Sequence, residues 1–170
     1  MIALRRINWK RGHGMRVATV ALLLVLSACA GSVKVNHPIS RELITDSGNG
    51  GYAGVEMNTD SMDIPWSFLN AVSRYLQQEL DRRALLNRDN SLYKITVQVT
   101  KVDVNTGASR ELLGAFAGPD EVESVVRVVD TETNRVVGES VVTTRLAGLG
   151  GRDDAAWTHA EEIADFLTVE

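Results

Sequence analysis

The sequence predicts an α+β domain over residues 41–170. It would hold a small antiparallel sheet of three to four strands packed with two helices, in the order α-β-β-β-α. Three observations predict it. A stretch in the middle of the chain repeats apolar residues at helical spacing. Three later runs alternate apolar and polar residues with period two. The C-terminal stretch returns to helical spacing. Both helices would cover one sheet face, leaving the other wet or covered by a partner.

Helix one is expected over about Ile64 to Leu86. Asp63 can cap it, and Pro65 sits in the first turn, where a missing N–H costs nothing. Phe68, Leu69, Val72, Tyr75, Leu76 and Leu80 share one face; Glu79 and Arg83 interrupt it one turn apart and can pair. The first confident strand is Leu92 to Asn105. Ile95, Val97 and Val99 alternate with polar residues, then Val102 and Val104 reverse the phase, which predicts a β-bulge. Strands at about Glu121 to Asp130 and Val136 to Arg145 follow, joined by a hairpin loop in which Asp130 and Asn134 supply local side-chain bonds. Helix two is expected from Asp154 to Leu167, capped by Asp153, with Ala156, Ala160, Ile163, Ala164 and Leu167 on its apolar face and His159 at the rim of that face. Ahead of helix one, Gly48, Gly50, Gly51 and Gly54 mark a loop, with one short strand around Tyr52 to Met57. Residues 29–40 read as a short polar tether, so a chain starting near Ser40 is expected to fold alone.

The first 28 residues carry a different signal. Arg5, Arg6, Lys10, Arg11 and Arg16 precede an apolar core from Val20 to Leu26, in the order of an export signal. The core is too short to span a membrane as a helix, which takes about 20 apolar residues. Either Met1 or Met15 can start such a signal. It ends in Leu26-Ser27-Ala28-Cys29, which resembles the lipobox of bacterial lipoproteins. That resemblance implies cleavage after Ala28, a diacylglyceryl thioether on Cys29 and a further acyl chain on its amine. At about 0.8 kcal/mol per buried CH₂, several chains hold a protein firmly to a bilayer. It also implies an outer-membrane protein facing the periplasm, because Ala30 rather than Asp follows the Cys.

Composition narrows the function classes. Cys29 is the only cysteine, so one chain can form no internal disulfide. Residues 29–170 hold 13 Lys and Arg against 22 Asp and Glu, a net charge of −9. Such a body is unsuited to nucleic acid and adds no electrostatic grip on anionic lipid. No catalytic constellation is legible. His159 and Glu162 lie three apart on helix two, but a zinc site wants three or four ligands, and His37 is the only other histidine after the signal. The glycines at 148, 150 and 151 precede a helix, yet Asp153 and Asp154 would repel a phosphate there. The expectation is no metal and no cofactor.

The segment Gly107 to Gly118 separates two strands and is unusually apolar. Leu112, Leu113 and Phe116 either close the sheet as a buried elbow or form a docking surface for a partner. Ser109-Arg110, Gly114 and Gly118, the strand Val122 to Asp130, and Thr133-Asn134 together resemble the bacterial lipoprotein family of unknown function numbered forty-four ten. The likeness covers about Trp66 to Leu167. Asn134 stands where such families commonly carry Gly, and Pro119 shortens the glycine stretch. The resemblance implies a lipid-anchored periplasmic domain and supplies no catalytic residues. The expected function is therefore non-enzymatic: membrane attachment through Cys29 and binding of a protein partner as an assembly accessory. A small-ligand or envelope-polymer binding module stays open as an alternative, as does a hydrolase whose site the sequence does not reveal.

Overall fold

The computed structural model describes residues 29–40, 51–89, 91–104, 120–146 and 151–168. Their elements run β1 (Cys29–His37), β2 (Val55–Asn58), α1 (Trp66–Arg82), β3 (Tyr93–Asp103), β4 (Asp120–Asp130), β5 (Val136–Leu146) and α2 (Arg152–Leu167). The fold is α+β, but the sheet has five strands, in the order β1-β5-β4-β3-β2. It is also mixed: β2 lies parallel to β3, and the other pairs are antiparallel. One strand, β1, thus departs from the sequence expectation, and the short strand expected around Tyr52 to Met57 forms as β2 but pairs parallel rather than antiparallel. The tether forms β1, with Val33 opposite Val142. The short strand in the glycine-rich loop is β2, and α1 makes the crossover that a parallel pair requires. Both lie at sheet margins, where one side of a strand stays wet and the apolar pattern thins.

The three central strands follow the alternation closely. Ile95, Val97 and Val99 on β3, Val122, Val126 and Val128 on β4, and Val142 and Leu146 on β5 all face the helices and are buried. The phase reversal on β3 coincides with a register shift between Val99 and Lys101. In the β4–β5 loop, Asp130 Oδ1 accepts from the N–H groups of Glu132 and Thr133, both at 2.9 Å, and Asn134 takes the left-handed conformation at φ 54°. Asn tolerates that region better than other side-chain-bearing residues, so glycine is not required there.

Helix α1 is shorter than expected at both ends, and α2 begins two residues earlier than expected. Pro65 is the N-cap of α1, and no side chain caps the helix, so Asp63 does not serve as expected. The helix stops at Arg82 because Ala84 turns left-handed (φ 55°) and Leu85 N–H bonds back to the Leu80 carbonyl. Gly151, not Asp153, is the N-cap of α2; Asp154 reaches back to the Gly151 N–H at 2.9 Å. Phe68, Leu69, Val72, Leu76 and Leu80 from α1 meet Ala155, Ala156, Ala160, Ile163, Ala164 and Leu167 from α2 over the sheet. The alanines let α2 approach closely, and each buried Leu contributes roughly 1.5–3 kcal/mol.

Polar bonds tie the helices together. Glu79 pairs chiefly with Arg82 at 2.6 Å, and the expected Arg83 contact is longer at 3.5 Å. Arg83 instead bridges the helices, at 2.7 Å from Asp165 and 2.9 Å from Thr168 Oγ1. Buried Tyr52, whose phenol burial pushes up, donates to the Leu167 carbonyl at the end of α2. The tail of β1 is fastened by shape: Ile39 packs where Gly138 has no side chain, and a Cβ there would come within 2.4 Å of Ile39 Cγ1.

Candidate functional site

Three surroundings hold the chemistry-bearing side chains among the described residues. The first is buried. His159 is fully enclosed rather than at the rim of the apolar face. Its Nε2 lies 2.7 Å from Ser124 Oγ and its Nδ1 2.8 Å from Thr144 Oγ1. Ser124 and Thr144 occupy inward positions of β4 and β5 that the alternation reserves for apolar residues, and both are buried. A neutral imidazole in either tautomer donates to one hydroxyl and accepts from the other, so the group is satisfied. A serine within hydrogen-bond reach of a histidine resembles a nucleophile and its base, but this pair lacks what the chemistry needs. Nδ1 meets the Thr144 hydroxyl rather than a carboxylate, and neither Ser124 nor His159 meets solvent. Burial pushes the His159 pKa down to about 3, far from a working base. The trio is a structural lock between α2 and the sheet. Glu162 does not join it; it lies beside Gly31 of β1, where burial, then Asp165 and Glu161, raise its pKa.

The second is the open sheet face. Asp60, Gln98, Arg127, Glu139 and Asn36 form a polar ladder that reaches from the β2 side to β1. Its links include Gln98 to Asp60, Arg127 to Gln98 at 3.2 Å, Arg127 to Glu139 at 2.8 Å and Asn36 to Glu139 at 3.3 Å. Beside it, Glu121 holds both Lys101 and Arg145 at 3.0 Å. Hydrogen bonds from these cations keep Glu139 and Glu121 below the usual carboxylate range. The face is wet, with these charges paired by their neighbours across strands. Cross-strand pairs of this kind contribute up to about 1 kcal/mol each, so Arg127→Met should lower stability in urea by about 1 kcal/mol without changing the fold. Circular dichroism of the variant checks both parts.

The third is the outer margin of β1. Among the described residues nothing pairs with that margin, since β1 ends the strand order and joins only β5. A groove of about 400 Å³ runs beside it, lined by Val33, Val35, Pro38, Ile39 and Phe166, with Asp165 at its rim. Val35 is 49% exposed there. Unpaired backbone groups along a strand are a template for another strand, and the groove can take side chains from it. The period-two pattern Gly31, Val33, Val35 is the signal the sequence offered for this margin.

Of the expected site residues, Cys29 is the first residue of β1, its backbone opposite Leu146. Leu112, Leu113 and Phe116 lie outside the described residues. No group of three or more His, Cys, Asp or Glu positioned to hold a metal occurs among the described residues, and no described helix is long and apolar enough to cross a membrane.

No family model matches the chain, and no curated protein does. Solved structures resemble it in outline. Two PelC dodecamers from Paraburkholderia phytofirmans, one of them a single-substitution variant, align over 83% of this chain and 100% of theirs. They are 14% and 13% identical, with TM-scores of 0.49 and 0.47. A candidate lipoprotein from Caulobacter crescentus is 18% identical over 69% of this chain and 91% of its own, with a TM-score of 0.39. Likeness of this degree establishes neither family nor function.

Proposed function

We propose that this chain is a bacterial lipoprotein, held at the outer membrane through lipid on Cys29, whose domain binds an extended segment of a periplasmic protein along β1. The observation that carries the binding arm is the unpaired β1 margin beside its apolar groove. Backbone pairing would supply affinity, and alternate apolar side chains entering the groove would supply selectivity. The occupant is therefore a strand with apolar residues at every second position. The anchor rests on the lipobox-like ending of the export signal and the outer-membrane placement on Ala30 after the Cys; the likeness to the family numbered forty-four ten, which implies a lipid-anchored periplasmic domain, agrees with the anchor. A non-enzymatic role fits the sealing of the Ser124–His159 pair inside the core.

Two measurements test the reading. Cells grown with a fatty-acid probe should label the parent chain and not Cys29→Ser, which should leave the membrane fraction. Equal labelling of the two removes the anchor. A photoreactive residue at half-exposed Val35 should cross-link the chain in living cells to one periplasmic protein, through a segment of alternating apolar residues readable by mass spectrometry. Adducts only to other copies of the chain, or none, remove the binding arm.

A further inference from the structure

We propose that the strand held on the β1 margin carries a lysine or arginine that pairs with Glu162, at the position opposite Gly31 and four residues from the one opposite Val35. This rests on strand addition at β1, as proposed above, and adds the charge that selects the occupant. The register defines the row. Gly31, Val33 and Val35 lie opposite Thr144, Val142 and Ser140, all buried, so this row of β1 is on the helix side of the sheet. Along it the groove offers apolar contact at Val33 and Val35, with Phe166 contributed by α2. At Gly31 the surroundings change. Glu162 lies one helical turn before Phe166, and its carboxylate occupies the space that a side chain on Gly31 would fill.

Among the described residues no cation pairs with that carboxylate. Arg83 is held by Asp165 at 2.7 Å and Arg82 by Glu79 at 2.6 Å. Lys34 alternates with Val33 and Val35 and so belongs to the open face, where Arg145 is held by Glu121. Glu162 is nevertheless half-buried, and burial, then Asp165 and Glu161, raise its pKa. A carboxylate so placed gains more from an incoming cation than an exposed one, because salt and water screen the pair less. Neighbouring strands lie about 4.8 Å apart, so a lysine or arginine opposite Gly31 can lay its apolar stem over the glycine and bring its charge to Glu162. Alternation then sets apolar side chains of the same strand against Val33 and Val35, whichever way that strand runs. The acidic body of residues 29–170 favours the same occupant at longer range. A second copy of β1, added antiparallel with its helices on the same side, would bring only the row Gly31, Val33 and Val35 and leave Glu162 without a cation.

The full-length chain with a photoreactive residue at Val35, cross-linked in living cells, tests the pairing. Mass spectrometry of the adduct should read Lys or Arg four residues from the cross-linked position, with an apolar residue midway between them. Glu162→Gln should lower the adduct about tenfold per protease-resistant chain, the effect of losing one well-placed ion pair. Asp81→Asn, which removes the same charge from the exposed side of α1, should leave it unchanged. Glu162→Lys should abolish the adduct, and replacing the partner's cation with Glu in the same cells should restore it. A segment with no cation at that position overturns the pairing and leaves strand addition standing. So does a Glu162→Gln adduct as abundant as the parent's, or a reversed pair that restores nothing. Adducts only to other copies of the chain, or none, overturn strand addition and the pairing together.

Discussion

Between pH 7 and pH 5 the protein should lose about 2 kcal/mol of stability through His159 alone, and His159→Gln should not show that loss. Burial holds the imidazole neutral in the fold, with its pKa pushed down to about 3. In the unfolded chain it titrates near 6.5. Between those values the unfolded chain binds a proton that the folded chain does not. The contribution is therefore complete above pH 6.5 and is lost as pH falls toward 3. Glu79, Glu121, Glu139 and Asp130 are held below their ordinary values by cations or backbone N–H groups, so their contributions are lost only as pH falls below the ordinary carboxylate range. Glu162, held high, acts with the opposite sign, and parent and variant share it. Gln at 159 can donate to one hydroxyl and accept from the other, so it removes the titration while keeping the lock. His159→Ala removes both bonds and opens a cavity, at a cost of about 3–4 kcal/mol. Urea denaturation of the three proteins at half-unit pH steps measures both effects. A His159→Gln protein with the parental pH slope would refute the assignment.

Much of the fold was legible because the core writes itself into periodicity. The inward valines of β3, β4 and β5, the bulge near Lys101 and the stripe from Phe68 to Leu80 all appear as spacing in the chain. What the spacing hid has a common physical cause. Among the described residues β1 pairs only with β5, so few of its residues must be apolar, and Gly31-Ser32-Val33-Lys34-Val35-Asn36 is easily read as polar; β2 was legible as a short strand, but not its parallel pairing with β3. Their places in the sheet also depend on long-range pairing, which local pattern does not encode. The buried trio was half visible. Ser124 between Val122 and Val126, and Thr144 between Val142 and Leu146, stand at core positions and require a polar partner. Only the approach of α2 shows that His159 is that partner. Each helix cap moved by two residues, from Asp63 to Pro65 and from Asp153 to Gly151, because Asp63 and Asp153 are good capping types whose neighbours made the actual turn.

A chain that begins at Ser40 should not fold stably, contrary to what reading 29–40 as a tether leads one to expect. Removing β1 strips one of the two antiparallel partners of β5 along Glu139 to Leu146, since the pairing runs from Cys29 opposite Leu146 to His37 opposite Glu139. Backbone groups of β5 lose their bonds, and the buried Ser140 hydroxyl loses the Lys34 carbonyl to which it donates at 3.0 Å. Val33 and Ile39 leave the margin of the core, opening Val142 and the α2 face around Phe166 to water. Losing the Ile39 contact alone is comparable to a large-to-small core substitution, at 2 kcal/mol or more, and an unsatisfied buried hydroxyl adds to it. The total should reach about 4 kcal/mol, or a fall in Tm of roughly 10 °C or more. The newly bared β5 margin, rich in valine, should also promote aggregation. The comparison is a chain that keeps residues 29–170 with Cys29→Ser, which retains every pairing of β1 and should melt cooperatively. Thermal melting by circular dichroism, with light scattering recorded together, separates the two. If the Ser40 chain melts within 2–3 °C of the longer one and stays clear, less than about 1 kcal/mol was lost and β1 contributes little to the fold. A β1 that contributes little would be free to leave β5, and the binding surface assigned to its outer margin would not exist in a fixed form.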